Sequence, residues 1–89
     1  MEKVFLLRVI SSEGILFEGN IQFLEMNTRD GQVGIYAGHL PQIYRVTKGR
    51  ISFLEDREKR TADVGNGFAE VLPERLTILV NYASFVSET

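Results

Sequence analysis

One stretch gathers the residue types most able to do chemistry. It is "RDGQVGIYAGHLPQ", residues 29 to 42, with the only histidine, an Asp-Gly pair and a proline two residues past the histidine. His39 could be a general base, a metal ligand or a packed loop residue. As a base it needs a carboxylate to orient it and a nucleophile within reach. Asp30 and Ser52 can be imagined in those roles, but nothing in the spacing selects them. As a metal ligand it lacks His, Cys or clustered Asp companions. The plainer reading is a loop histidine whose ring hydrogen-bonds the backbone or a neighbour. Asp30-Gly31 reads as a hairpin turn, with glycine supplying a positive φ, before it reads as carboxylate chemistry. Pro41 biases Leu40 toward an extended backbone.

Elsewhere the chemical signals are weaker. Gly65-Asn66-Gly67 could pass for a phosphate cradle, yet no Lys-Ser/Thr follows and no helix opens after it. A sharp corner built from left-handed residues is expected instead. The acidic residues are dispersed, and no two form an arguable glycosidase couple. Arg45, Lys48 and Arg50 bracket Gly49 as a basic group, read either as a solvated turn or as an electrostatic contact with an acidic protein surface. Nothing here does chemistry alone: the expected catalytic, cofactor-binding and metal residues are none.

The chain that must position these residues is small. Eighty-nine residues fit one domain that buries only about 60–65% of its unfolded surface. With no cysteine, a 44% hydrophobic fraction must build the core unaided or with a partner. Ten basic residues against twelve acidic give a net charge of -2, no footprint for a nucleic-acid binder. The apolar run Val4 to Leu7, ended by Arg8, is too short for a signal-peptide core or a membrane span, so a soluble protein is expected.

Glycines and prolines leave few windows for helices, and the apolar residues alternate. Phe5, Leu7 and Val9 share one side of a strand; Ile15 with Phe17, Ile21 with Phe23 and Val33 with Ile35 repeat the pattern. Ile51 with Phe53, Ala62 with Val64, and Leu76, Ile78 and Val80 continue it. Short period-two runs turned at intervals of roughly ten residues predict an antiparallel β-sandwich or barrel. The window 50–64 carries Glu55–Lys59 and Asp56–Arg60 at helical spacing, but its apolar residues cluster at each end. Two strands joined by a charged hairpin at Glu55–Lys59 are expected there. Val4, Leu6 and Ile10 oppose the inner side of the first strand, and Leu24 and Met26 oppose Ile21 and Phe23. Apolar residues on both sides imply that part of the outside is covered by a partner.

In their order these motifs resemble the epsilon subunit of the rotary ATP synthase, called delta in mitochondria, over its amino-terminal β-sandwich domain. The resemblance is carried by Glu13-Gly14 with Phe17 and Gly19, Asp30-Gly31 with Gly34-Ile35, and Gly38-His39 with Pro41. Gly49, Gly67-Phe68 with Glu70-Val71, and Leu76-Thr77-Ile78-Leu79 complete it. It implies an all-β, antiparallel sandwich of two sheets and about ten short strands, filling residues 1–89 without the family's carboxy-terminal helical hairpin. It implies a non-catalytic central-stalk subunit that couples the c-ring to gamma during ATP synthesis, driven by protons or sodium. That role needs no cofactor or small-molecule substrate. It places the protein at the cytoplasmic face of a bacterial membrane, held there only through the complex.

By the same resemblance Arg29, Asp30, Gly31 and Gln32 would face the c-ring. Gly38, His39, Leu40, Pro41 and Gln42 would lie toward gamma and the ring, and the edge at Ser11 and Ser12 would meet gamma. Ala37 stands where the family usually has proline, Gln42 replaces a usual apolar residue, and Tyr44-Arg45 is bulkier and more polar than the norm. A freer loop is expected at Ala37. Two rival readings are a free-standing β-sandwich adaptor with a changed partner, and a small hydrolase or sugar-binding sandwich using His39 and Asp30.

Overall fold

The computed structural model describes residues 3–86, and they form ten β-strands. These are β1 (Phe5–Ser11), β2 (Gly14–Ile21), β3 (Phe23–Thr28), β4 (Gly31–Tyr36) and β5 (Gln42–Val46). The rest are β6 (Gly49–Glu55), β7 (Glu58–Val64), β8 (Gly67–Leu72), β9 (Arg75–Val80) and β10 (Ala83–Phe85). One layer runs β10-β7-β6-β3, with β4 on the far side of β3; the other runs β5-β8-β9-β1-β2. A single residue pair, Thr28 with Val46, joins them at a corner. The expected sandwich and its strand number are both found. The helical alternative for the 50–64 window is not: β6 and β7 pair from Gly49–Val64 to Glu55–Glu58. Their two-residue turn holds Asp56 and Arg57 at φ 50 and 68, the mirror-image turn whose twist suits a hairpin.

One pairing departs from the antiparallel expectation. β1 and β9 run parallel, from Leu6–Arg75 to Ile10–Leu79. Parallel neighbours need a long crossover, and the seven strands between them supply it.

The core lies between the layers and is built from the alternating residues. Phe5, Leu7 and Val9 of β1 are buried, as are Ile51 and Phe53, Ala62 and Val64, and Leu76, Ile78 and Val80. Two runs depart from the alternation. A bulge between Val9 and Ile10 sets Phe17 opposite Val9 but Ile15 opposite Ile10, so Phe17 is buried and Ile15 is 53% exposed. At Gln22 the chain crosses from one layer to the other, and the interior changes side. Leu24 and Met26, expected outside, are therefore fully buried, while Phe23 is only partly covered. Phe23 lies against Tyr36, with ring centroids 4.5 Å apart.

The Gly65–Gly67 corner also differs from expectation. None of its three residues takes a positive φ. Glycine is needed there for space: a Cβ on Gly67 would collide with the Leu79 carbonyl oxygen, and one on Gly65 with the Asn81 side chain.

A candidate protein-contact surface

The turn at Arg29–Gln32 is built by its neighbours. Thr28, the buried polar residue at the corner, donates its Oγ1 hydrogen to the Gly31 carbonyl at 2.7 Å and accepts from the Asp30 N–H at 3.2 Å. The Arg29 N–H reaches the Arg45 carbonyl at 2.9 Å, and the Thr47 N–H reaches that of Asn27 at 3.1 Å. Gly31 sits at φ +117, as the hairpin reading requires, with nothing within 4 Å of a would-be Cβ. Gly31→Ala is expected to cost about 1–2 kcal/mol through backbone strain alone. A thermal melt should read this as a fall of roughly 4–16 °C.

His39 lies in the loop between β4 and β5. Its Nδ1 is 2.9 Å from the Leu40 carbonyl, so that nitrogen carries the proton, and its ring meets Tyr44 edge-on at 6.2 Å. This is the loop histidine the sequence suggests. The loop is not free despite Ala37: the Gly38 N–H donates to the Pro73 carbonyl at 2.8 Å and the His39 N–H to that of Tyr36 at 3.3 Å. These bonds present Leu40, 78% exposed, to solvent.

The hydrolase constellation is not assembled. Asp30 precedes the first residue of β4 and His39 follows its last, and five residue steps of strand separate those two ends by about 17 Å. Ser52 sits on β6 between Glu25 and Thr61, on a different strand from either. Among the described residues no cluster of three or more His, Cys, Asp or Glu could hold a metal ion.

The residues expected to meet partners do not form one patch. Ser12 Oγ donates to the Asn81 carbonyl at 3.1 Å, the Asn81 N–H to that of Asn66 at 3.0 Å, and the Lys48 N–H to Asn66 Oδ1 at 2.9 Å. This line of bonds places Ser11–Ser12 and Arg29–Gln32 at one end of the sandwich. Gly38–Gln42 lies at the other end, beside the Pro73–Glu74 turn. The basic group divides as well: Arg50 pairs with Asp63 at 2.9 Å, whereas Arg45 and Lys48 form no ion pair among the described residues.

Sequence reasoning missed exposed apolar residues lying between the two ends. Ile43 is 68% exposed, Phe68 55% and Leu79 52%. Their signal was present, since each alternates with a core residue, but only the strand order shows that they share a face.

A β-sandwich that carries bare apolar residues on a loop and on its outer faces has the surface of the class of protein-contact domains. The model of the ATP synthase delta/epsilon chain β-sandwich domain matches residues 4–86, and the chain belongs to that family. The ATP synthase epsilon chain of Chloroflexus aggregans is 31% identical over 75 residues, covering 84% of this chain and 54% of the relative. That of Shouchella clausii is likewise 31% identical over 75 residues, covering 84% and 56%. The chain thus spans about half the length of these relatives.

Solved structures with the same fold include a chain of the Euglena gracilis mitochondrial ATP synthase OSCP/F1/c-ring assembly. It has TM-score 0.86 and 19% identity, covering 92% of this chain and 53% of that one. A chain of the Tetrahymena thermophila mitochondrial ATP synthase central stalk and c-ring has TM-score 0.77 and 11% identity, covering 93% and 67%.

Proposed function

We propose that this chain is a non-catalytic central-stalk element of a rotary ATP synthase, gripped between gamma and the c-ring. It would transmit rotation of the ring, driven by protons or sodium, and bind neither nucleic acid nor a small-molecule substrate. The observation that carries this reading is the family's domain folded with Leu40 bare on a loop pinned by backbone bonds. A side chain so exposed on a fixed support is suited to insertion into a partner. The same reading assigns Arg29–Gln32 to the ring, Gly38–Gln42 to gamma and the ring, and Ser11–Ser12 to gamma. Because these lie at opposite ends, gamma would contact the sandwich along the length of its strands. The protein would sit at the cytoplasmic face of a bacterial membrane, held there through the complex.

A torque-bearing coupling must not yield, and strands hydrogen-bonded on both sides resist shear. Binding also adds stability by mass action, which suits a domain with so small a core. Co-elution with gamma from the same source tests the proposal. Loss of co-elution at both low and moderate salt would favour the adaptor reading. Leu40→Asp is expected to weaken gamma binding about tenfold or more while leaving the melting temperature nearly unchanged, because the side chain is 78% exposed in the free domain. Equal binding by this variant removes the loop from the interface.

A further inference from the structure

β10 ends one layer and β2 ends the other, and they share a side of the sandwich, where the rings of Phe85 and Phe17 meet edge-on at 6.4 Å. On such a side the space between two sheets opens to water. Here one side chain closes it. The Arg60 guanidinium lies 4.4 Å from the Phe85 ring centroid and 5.6 Å from that of Phe17, and its Nη1 donates to Glu55 Oε1 at 2.9 Å. Arg60 thus joins β7 to β10, β2 and β6. Beneath it Phe17 tilts against the buried ring of Phe53, with centroids 4.8 Å apart.

β10 has little other hold. It is three residues long and pairs with β7 alone. At its two ends the Gly65 N–H donates to the Tyr82 carbonyl at 2.9 Å and the Val86 N–H to that of Thr61 at 3.0 Å. Ala83 and Phe85 are only partly buried, and Ser84 is exposed. A short edge strand with so few buried contacts opens at lower cost than the sheet it borders. A planar guanidinium stacked on two rings supplies the missing hold. The other charges nearby do not. Glu58 and Lys59 border the same side but are exposed and form no ion pair among the described residues, and Glu18 is taken by Arg8 at 3.0 Å.

We infer that β10 is a releasable strap with Arg60 as its clasp: residues 82–86 open as a unit while the rest of the sandwich stays folded, baring the β7 edge over Phe17. The strap belongs to the free domain whatever its partners are, so gamma co-elution does not bear on it.

Amide hydrogen exchange of the full chain, read by NMR, tests this. The Gly65 and Val86 amides should exchange faster than the protected amides of the β1–β9 pair, and Arg60→Gln should speed them about tenfold. Ile78→Val, a buried change in β9, should speed the β1–β9 amides about two- to tenfold and leave Gly65 and Val86 unmoved, because strap opening breaks nothing there. Glu58→Gln should also leave them unmoved. Phe85→Ala should speed the same two amides and remove most of the further effect of Arg60→Gln. Equal acceleration of Gly65, Val86 and the β1–β9 amides by Ile78→Val would show one cooperative unit and overturn the strap. Indifference to Arg60→Gln, full additivity with Phe85→Ala, or an equal effect of Glu58→Gln would overturn the clasp.

Discussion

Gly67→Ala should lower the melting temperature by roughly 12–24 °C, corresponding to about 3 kcal/mol in a domain of this size. Gly67 opens β8 opposite Val80, and its backbone runs hard against β9. An added methyl would meet the Leu79 carbonyl oxygen and lie 2.7 Å from the Val80 Cα. Both are backbone atoms of a strand paired on its two sides, so neither yields without breaking ladder hydrogen bonds. Gly65→Ala is the control. Its methyl would meet only the Asn81 side chain, which can rotate away, and the expected cost is about 1–2 kcal/mol. Melting curves of the two variants decide the matter. A Gly67→Ala protein that melts within about 4 °C of the parent shows that the strands can part there, and the close-approach account fails.

That pair of glycines also shows where a sequence stops being informative. The GNG corner was legible as a corner, because three small or turn-prone residues interrupt two apolar runs. Its cause was not, since positive φ and missing space demand the same residue type, and only the neighbouring strand tells them apart. The β1, β6, β7 and β9 core residues were legible because regular alternation survives wherever a strand stays in one layer. It misled at Ile15, where a bulge adds a residue, and at Phe23, where the chain changes layers. A strict period of two has no way to mark either event. The candidate surface was legible one turn at a time. The shared outer face of Phe68, Leu79, Ile10 and Ile15 was not, because it draws on two hairpins from opposite ends of the sequence, β1-β2 and β8-β9, joined by the parallel pairing of β1 with β9.

The layer change at Gln22 has an energetic consequence that two phenylalanines can measure. Phe53 is 1% exposed, lies opposite Leu24, and tilts against Phe17 with ring centroids 4.8 Å apart. Phe53→Ala removes a ring from the centre of the core and should cost about 3–5 kcal/mol. A domain of this length holds only about 5–13 kcal/mol in all, so the variant should lose most of its urea-unfolding midpoint. Phe23, one strand away, covers Gly34 and touches Tyr36 on the outside. Phe23→Ala should cost about 1 kcal/mol, the value of a partly exposed aromatic pair. The ratio is the informative quantity, because both variants delete the same atoms and differ only in which side of the layer loses them. A greater loss at Phe23 than at Phe53 would place Phe23 in the interior. The outward side of β3 would then belong to Leu24 and Met26, as simple alternation has it, and the crossing at Gln22 would be wrong.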